Sequence, residues 1–162
     1  MNGTSKIAGL IVTLTVLLTA LNLCAAESII TPAMVGHWEG NARIIVSWCH
    51  QTNLTVAVDI HADGSVTGKI GDATLVAGHF LSHRSWPWRH TMVTGKLDGA
   101  IVAAEGITRS YVTMICDFSN GSFTGQIDTN GSLCVFASEK TMKEKMALTA
   151  VGLKLIRSQS SA

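Results

Sequence analysis

The chain has little charge and no excess of either sign. Charged residues are 14% of its 162 residues, and the formal net charge is +1. Of the twelve Lys and Arg residues only Lys6 precedes residue 27, which leaves eleven basic residues against eleven acidic ones in the rest of the chain. Proteins that bind nucleic acids or anionic membranes carry clustered basic residues. The composition shows no such cluster, and we predict no nucleic acid among its partners.

The chain also lacks an apolar run of membrane-spanning length. Its longest, Ile7–Leu21, has fifteen residues, whereas a helical span needs roughly 20. The run follows a short polar start with Lys6 and leads to the small residues Ala25 and Ala26, which is the layout of a secretory signal peptide. We predict a signal peptide at 1–26, export to the periplasm or extracellular space, and no membrane span in the mature chain. An uncleaved anchor and a buried helix are the alternatives.

Leu21–Cys24 offers a second interpretation of this segment. The stretch resembles a bacterial lipobox, whose cysteine becomes the lipid-carrying first residue of the mature protein. That motif has a small residue just before the cysteine, and here the position holds Leu23. A lipid anchor at Cys24 is therefore the less favoured alternative. The remaining residues, 27–162, suffice for one domain with a single core.

Cysteine is scarce beyond the signal segment, where only Cys49, Cys116 and Cys134 remain. An odd number permits at most one internal disulfide in an oxidising compartment. The spacing leaves open which pair would form it and whether all three are buried thiols instead. None of the three has the spacing of a metal site.

Catalytic motifs are absent from the sequence as well. It has no Gly-x-Ser-x-Gly elbow. In its one adjacent pair of cysteine and histidine, Cys49-His50, the two side chains would point to opposite faces of a strand. We therefore predict a non-enzymatic protein with no catalytic residue, no metal and no cofactor.

What the chain does have is alternation of apolar and polar residues, without a helix of ordinary length beyond residue 26. Over Met34–Cys49, positions such as Trp38 and Ala42 are apolar, and the intervening positions such as Glu39 are polar. This pattern is typical of a strand with one buried face. Further strands are predicted at 54–61, 66–70, 72–80, 92–97, 101–108, 112–118, 123–127, 133–138 and from 147 to 157.

One stretch occurs twice, at 59–70 and 117–127, and both copies predict a β-hairpin. Asp63-Gly64 and Asn120-Gly121 supply the positive φ angles of a two-residue or bulged short turn. Thr94-Gly95-Lys96-Leu97 is a third, partial copy that has the strand and not the turn. The apolar residues of the repeat share one face, so we assign the repeat to strand register rather than to chemistry.

The series of hairpins predicts the fold class. Sequential hairpins favour an up-and-down meander, and closing the meander into a barrel removes both exposed edges. We predict an all-β, antiparallel up-and-down meander closed into a barrel of about eight to ten strands. The two hairpin copies would be a pseudo-repeat inside one barrel, because each half is too small to bury a core alone.

Gly36-His37-Trp38 resembles the Gly-x-Trp signature of the calycin barrels, which include lipocalins, fatty-acid-binding proteins and avidins. Asp63-Gly64-x-x-Thr67-Gly68 is similar to the opening of avidin-type barrels. In these families the Trp lies at the closed end of the barrel, and a basic residue of the last strand packs across its ring. The resemblance implies a calycin-like barrel in which Trp38 and Arg157 form a barrel-closing pair. In its overall make-up the chain also resembles small exported bacterial proteins of no assigned function.

Alternation along the last strand supports this pair independently. It places Arg157 on one side together with Val151, Leu153 and Leu155. The same parity argument turns Trp38 inward on the first strand. A contact between a cation and an aromatic ring requires that both side chains point to the same space.

The stretch His79–His90 breaks the alternation and holds two tryptophans, so we predict a long loop there. Its aromatic side chains would form a lid or rim over the barrel mouth, above the space that Trp38 and Arg157 close from below. A plain structural loop and a metal site made by its three histidines are the alternatives. The candidate ligand-binding residues of this stretch are Trp86, Trp88, His83 and Arg84.

Glu105 is the one acid that shares the parity of an apolar set, which includes Ile101 and Ile107. A carboxylate turned into a barrel needs a charged partner or a polar ligand. We predict Glu105 as a further ligand-binding residue, with Arg109 or Arg157 as its partner. A register shifted by one residue is the alternative.

Asp59 and Asp117 occupy matching positions of the two hairpins and share the polar parity. A glycosidase needs two acids about 5 to 9.5 Å apart across a cleft, and nothing in the pattern brings these two together. We predict that both lie on the outer surface, near Thr67 and Thr124 of the partner strands.

Two functions remain open at this point. The first is a secreted or periplasmic, non-enzymatic β-barrel that binds a small apolar ligand in its interior. The alternative is a structural or interaction module with a filled core and no ligand cavity. The interior distinguishes them, because a cavity of about 300 Å³ or more would favour binding. A filled core would consist of the side chains of Trp38, Trp48, Phe118 and Phe123.

Overall fold

The computed structural model describes residues 30–85, 88–131 and 137–158, apart from the side chains of 82–85 and 88–90. The signal peptide predicted at 1–26, with Cys24, and most of the strand predicted at 133–138 lie outside these residues. The described elements include a 3-10 turn (Ala103–Glu105) and one helix, α1 (Glu139–Lys145). The strands are β1 (Gly36–Ile44), β2 (Asn53–Ile60), β3 (Ser65–Ile70), β4 (Ala73–Ser85), β5 (Trp88–Asp98), β6 (Ala100–Val102), β7 (Ile107–Thr108), β8 (Tyr111–Ser119), β9 (Ser122–Thr129) and β10 (Thr149–Arg157).

Eight of these strands form a closed antiparallel barrel. Around the wall the order is β1-β2-β3-β4-β5-β8-β9-β10, and β10 pairs with β1. Neighbours in the wall are also neighbours along the chain, except that the short β6–β7 ribbon lies between β5 and β8 in sequence. The predicted all-β, up-and-down, closed architecture is confirmed.

The meander gives the barrel two different ends. The hairpin end carries the turns 61–64 and 120–121, the end of β4, the start of β5, the start of β1 and the end of β10. The helix end carries the longer connections 45–52, 99–110 and 130–148, the last of which contains α1. The two ends are therefore closed by different parts of the chain.

The predicted alternation on β1 is present but the strand is shorter than expected. Trp38 and Ala42 are buried, whereas Glu39 and Asn41 are exposed. β1 ends at Ile44 rather than near residue 49, because the chain turns at the helix end to enter β2. The apolar and polar residues that alternate after Ile44 therefore belong to the 45–52 connection, which buries Trp48 and Cys49.

Both predicted hairpins are present. In β8–β9 the two-residue turn is Asn120 (φ +50) and Gly121 (φ +70), which is the type I′ geometry. In β2–β3 the turn covers 61–64, with Gly64 at φ +87. The positive φ angles that these pairs predict are present at Asn120, Gly121 and Gly64 but not at Asp63.

The glycines of the repeated Thr-Gly pairs lie where neighbouring strands come close. A Cβ atom at Gly68 would lie 2.2 Å from a carbonyl oxygen of β2, and one at Gly125 would lie 1.9 Å from a carbonyl oxygen of β8. At Gly40 of β1 the distance to a carbonyl oxygen of β10 would be 1.8 Å. Only glycine allows such approaches, which accompany the bending of strands around a barrel. The repeat therefore sets curvature as well as register.

The β4–β5 hairpin replaces the loop predicted at His79–His90, and that prediction is wrong. β4 continues to Ser85 and β5 begins at Trp88, with ladder pairs between them along this length. Beyond His79, β4 has no ladder partner in β3, so the hairpin projects past the rim of the barrel. A ribbon outside the wall need not bury one face, and therefore its sequence does not alternate.

Two bulges shift the alternation inside the barrel wall. In β4 the register shifts around Ala77, which has φ +52. In β10 it shifts between Val151 and Leu153, so Ala150 is buried and Val151 is only half-buried. The prediction that Val151 shares a side with Leu153 and Leu155 is therefore wrong, because one extra residue precedes them.

The strand predicted at 101–108 is interrupted. β6 and β7 flank the 3-10 turn, and they pair with each other rather than with the barrel wall. Ile101, Val102 and Ile107 are fully buried, so this segment packs its apolar residues onto the helix end of the core.

Candidate functional site

Four aromatic rings fill the hairpin end of the barrel interior. The ring centroid of Phe123 lies 4.8 Å from that of Trp38 and 4.8 Å from that of Phe118. Phe80 approaches Phe123 at 6.1 Å, and Trp38 approaches Phe118 at 5.8 Å. Most of these pairs are edge-to-face, a favoured geometry for aromatic contacts. The cluster occupies the space that a ligand would need at this end.

Arg157 covers this cluster from the rim. Its Cζ atom lies 5.8 Å from the centroid of the Trp38 ring, so the contact implied by the calycin resemblance is present. The guanidinium also donates a hydrogen bond to the carbonyl of Val35, and the Trp38 indole donates to Met34 O at 2.8 Å. A Cβ atom at Gly36 would lie 3.0 Å from the guanidinium. The glycine of Gly-x-Trp thus leaves room for the arginine.

The β4–β5 hairpin lies at the same end of the barrel as Trp38 and Arg157. The sequence pattern predicts that the tryptophan-rich stretch lies at a barrel mouth opposite this pair. That arrangement is wrong, because β4 and β10 both end at the hairpin end. The backbones of His83, Arg84 and Trp88 belong to the projecting hairpin, whereas their side chains and all of Trp86 lie outside the described set. Their role in ligand binding stays a prediction.

Glu105 lies at the helix end, on the 3-10 turn, and joins three segments. Its Oε1 accepts hydrogen bonds from the backbone N–H groups of His50 and Gln51, both at 2.8 Å, and Oε2 lies 2.9 Å from Lys143 Nζ. The Cys49 thiol is 3.5 Å from Oε1. The partner is therefore Lys143 of α1, and the expectation of Arg109 or Arg157 is wrong because the turn points the carboxylate toward the 45–52 connection.

Electrostatics keep Glu105 ionised. Burial works to raise the pKa of its carboxyl group, since the side chain is only 12% exposed. The ion pair with Lys143 and the N–H donors of Gln51 and His50 outweigh burial and lower the pKa to about 2. A carboxylate with this many donors ties the three segments together. Glu105 also borders a depression of about 490 Å³ beside α1, and its role in ligand binding stays a prediction.

Arg109 holds α1 against the same end of the barrel. The residue is only 5% exposed, and its guanidinium donates to four backbone carbonyls. Three of these belong to the last turn of α1 and the residue after it, at Met142, Lys143 and Met146. Its Cζ lies 5.5 Å from the Trp48 ring centroid, and burial lowers its pKa. Sequence reasoning missed this clamp, because no spacing links residue 109 to a helix more than thirty residues away.

The two acids of the hairpins lie on the outside of the wall, as predicted. Asp59 is the ladder partner of Thr67, and Asp117 is the ladder partner of Thr124. His37 Nδ1 lies 2.8 Å from Asp59 Oδ1, and its Nε2 lies 2.9 Å from a Glu39 oxygen. Hydrogen bonds to Glu39 and Asp59 raise the pKa of His37. These are contacts along an exposed sheet surface rather than a catalytic pair in a cleft.

Thiols and metal ligands form no further site in the part of the chain that is described. Cys49 and Cys116 are both free and buried, and burial raises the pKa of Cys116 to about 12. A disulfide with Cys134 lies outside the described residues, as do two side chains of the proposed three-histidine site. Elsewhere in 30–85, 88–131 and 137–158 no cluster of three metal-binding side chains occurs. No helix in these ranges has the length and apolarity of a membrane span.

The outer surface of the wall carries more apolar side chains on one side of the barrel than on the other. The outward residues of β1, β2 and β3 include His37, Glu39, Arg43 and Lys69. The outward residues of β4, β5 and β8 are a mixture of polar and apolar side chains, and three of the five most exposed large apolar side chains in the described ranges lie there: Val76 (45%), Leu81 (42%) and Tyr111 (50%). Sequence reasoning missed this surface, although apolar residues at both parities of these strands were a readable signal.

No protein-family model, curated protein or solved structure matches the chain.

Proposed function

We propose that this protein is an exported, non-enzymatic, calycin-like barrel that acts through its outer surface as an interaction module. The observation that carries this proposal is the filled interior. An eight-stranded barrel encloses a space just wide enough for side chains or one small ligand. Here the inward positions of the wall hold large, fully buried side chains at every level from Trp38 to Leu54.

The two ends add to this argument. At the hairpin end the rings of Trp38, Phe80, Phe118 and Phe123 contact one another. At the helix end a layer of buried residues from the connections covers the core: Trp48, Ile101, Val102, Ile107 and Leu148. The expectation of an apolar ligand inside the barrel needs a cavity of about 300 Å³ or more. The packing of the described residues weighs against it and favours the module.

Two depressions of the described surface lie outside the core. One, of about 720 Å³, is on the outer face of β10, β1 and β2 beside Glu39, Lys154 and Ile156. Another, of about 710 Å³, lies beside α1 and includes Arg109 and Asn130. Binding by this protein would therefore use external surfaces.

The calycin-like and exported parts of the proposal rest on separate observations. The meander, its closure by β1 and β10, and the packing of Arg157 across Trp38 beside Gly36 support a calycin-like barrel. The layout of residues 1–26 supports export. Intact-mass analysis of the protein from producing cells tests export, with an expected first residue of Glu27. A chain that retains residues 1–26 and stays inside the cell would contradict it.

Titration with palmitate and with benzene, followed by NMR, tests whether the interior is filled. The wild-type protein should bind neither. Phe123→Ala removes a ring from the centre of the aromatic cluster and should create a cavity that takes up benzene. Phe123→Val serves the same purpose if the alanine variant does not fold. Ile156→Ala, which shortens an exposed side chain, is the matched control and should bind nothing. Stoichiometric binding of palmitate by the wild type would overturn the proposal.

A further inference from the structure

Asparagine is followed by glycine three times in the sequence, at 2–3, 120–121 and 130–131. The side-chain amide of an asparagine can be attacked by the peptide nitrogen of the next residue, and glycine hinders that attack least because it has no side chain. Asn120-Gly121 and Asn130-Gly131 are both followed by serine, so their local sequences do not distinguish them. Asn2-Gly3 lies outside the described residues.

The structure holds the side chain of Asn130 in place. Its Oδ1 accepts hydrogen bonds from the backbone N–H groups of Ser110 at 3.0 Å and Tyr111 at 2.8 Å. A Cβ atom at Gly131 would lie 2.0 Å from the backbone nitrogen of Ala147, so the glycine is packed as well. The Asn130 amide is therefore kept from the peptide nitrogen that would attack it.

Asn120-Gly121 has none of these restraints. The pair is the exposed two-residue turn between β8 and β9. Among the described residues neither the Asn120 side chain nor the Gly121 amide has a hydrogen-bond partner, and a Cβ atom at Gly121 would meet nothing within 4 Å. Ring closure brings the amide carbon and the nitrogen to near-attack distance, so the turn must open locally. Exposed turns open at a low cost in free energy.

We propose that Asn120 is a site of spontaneous deamidation in the folded protein, a modification that is independent of the proposed function. The deprotonated peptide nitrogen of Gly121 attacks Cγ of Asn120 and forms a nitrogen–carbon bond. The Cγ–Nδ2 bond then breaks, and ammonia leaves with a proton from the solvent. Water adds to either carbonyl of the resulting cyclic imide and opens it, which yields aspartate or isoaspartate. Water is the co-reactant, and no oxidant or reductant takes part.

The modification changes the hairpin end in two ways. Both products add a carboxylate to the turn between β8 and β9. Isoaspartate also lengthens the main chain by one carbon atom, in a turn whose twist matches that of the flanking strands. The ladder pair next to Ser119 and Ser122 is Phe118 with Phe123, whose ring centroids are 4.8 Å apart. The longer turn should therefore loosen the aromatic cluster.

Peptide mapping by mass spectrometry tests the proposal on the folded full-length protein, incubated at physiological temperature in mildly alkaline buffer. The converted fraction of Asn120 should rise with time. Asn130 should react at least about tenfold more slowly, because two hydrogen bonds must break first. The same protein unfolded in urea is the matched control, and there the two sites should react within about threefold of each other. An Asn120 that converts no faster than Asn130 in the folded protein would overturn the proposal.

Two variants identify the product and its effect. In Asn120→Gln the longer side chain would have to close a larger ring, so this variant should accumulate no new acidic form on ion-exchange chromatography. Asn120→Asp has the new carboxylate without the longer main chain and should melt near the wild type, whereas the isoaspartate form isolated by ion exchange should melt at a lower temperature. Acidic forms that accumulate equally in Asn120→Gln would assign the reaction to another residue. Equal melting of isoaspartate and Asn120→Asp would contradict the effect on the aromatic cluster.

Discussion

The guanidinium of Arg157, at the end of β10, lies over the indole ring of Trp38, near the start of β1, with 5.8 Å between Cζ and the ring centroid. The two residues are also ladder partners in the strand pair that closes the barrel. Arg157 accordingly joins the two ends of the meander through its backbone, its contact with the ring and its hydrogen bond to Val35.

Arg157→Ala should lower the free energy of unfolding by about 1 kcal/mol, because it removes a cation–ring contact and one charged hydrogen bond near the surface. Arg157→Lys keeps the charge, and its free energy of unfolding should lie between those of the wild type and Arg157→Ala. Urea denaturation followed by tryptophan fluorescence measures the difference. Trp38→Ala is the reference for full loss of the cluster and should cost about 3 to 5 kcal/mol. An Arg157→Ala variant as stable as wild type would show that closure depends on the ladder alone.

Glu105→Gln should destabilise the helix end by about 2 kcal/mol, since the carboxylate accepts charge-assisted bonds from two N–H groups and Lys143. The pKa of Glu105 is lowered from its usual 4.5 to about 2, so the unfolded chain binds a proton before the folded protein does. The stabilisation is therefore complete above about pH 4.5 and is lost as the pH falls toward 2. Denaturation curves across this window measure the effect.

Between pH 4.5 and 2, the free energy of unfolding of Glu105→Gln should change less with pH than that of the wild type. Glu139→Gln is the matched control, because Glu139 also contacts Lys143, at 3.1 Å, but is 61% exposed. It should keep the wild-type pH profile. Equal slopes for wild type and Glu105→Gln would contradict the assigned role of Glu105.

Gly125→Ala and Gly40→Ala should each prevent folding or destabilise the barrel severely. The added Cβ atoms would lie 1.9 Å and 1.8 Å from carbonyl oxygens of the neighbouring strands, and a backbone contact cannot be relieved by a change of rotamer. Gly106→Ala is the control, because its Cβ would meet nothing within 4 Å. That variant should cost only about 1 to 2 kcal/mol for its positive φ. Circular dichroism and thermal melting distinguish these outcomes.

Ala77→Gly should stabilise the protein by about 1 kcal/mol. Ala77 has φ +52 at the β4 bulge, where an alanine is strained and a glycine is not. The gain is reduced by the greater freedom of glycine in the unfolded chain. Ala57→Gly, within β2, is the control and should destabilise. Chemical denaturation measures both, and a loss of stability in Ala77→Gly would mean that the bulge does not strain this residue.

Local patterns predicted those parts of the fold that depend on one strand or one turn. Alternation on β1 and β2 placed Trp38 and Leu54 in the core, and Asn120-Gly121 marked a two-residue turn. Patterns failed at Val151, where a bulge inserts one residue, and at 79–90, where β4 and β5 continue to pair with each other beyond the last ladder pair of β4 with β3. The sites were harder to predict, because Glu105 and Lys143, or Arg109 and α1, meet only when distant segments close the helix end.

By itself, the sequence determined the class of the protein, since period-two alternation and Gly-containing turns are compatible with strands and hairpins alone. It also determined which strands bend, because the glycines of the Thr-Gly pairs admit close approaches that no other residue allows. Only the tertiary structure decided that the tryptophan-rich stretch shares an end with Trp38 and Arg157, because each strand reverses the direction of the chain. It likewise decided that Leu81, Met92 and Ile115 lie side by side on β4, β5 and β8, because strand pairing brings together side chains that no sequence spacing links.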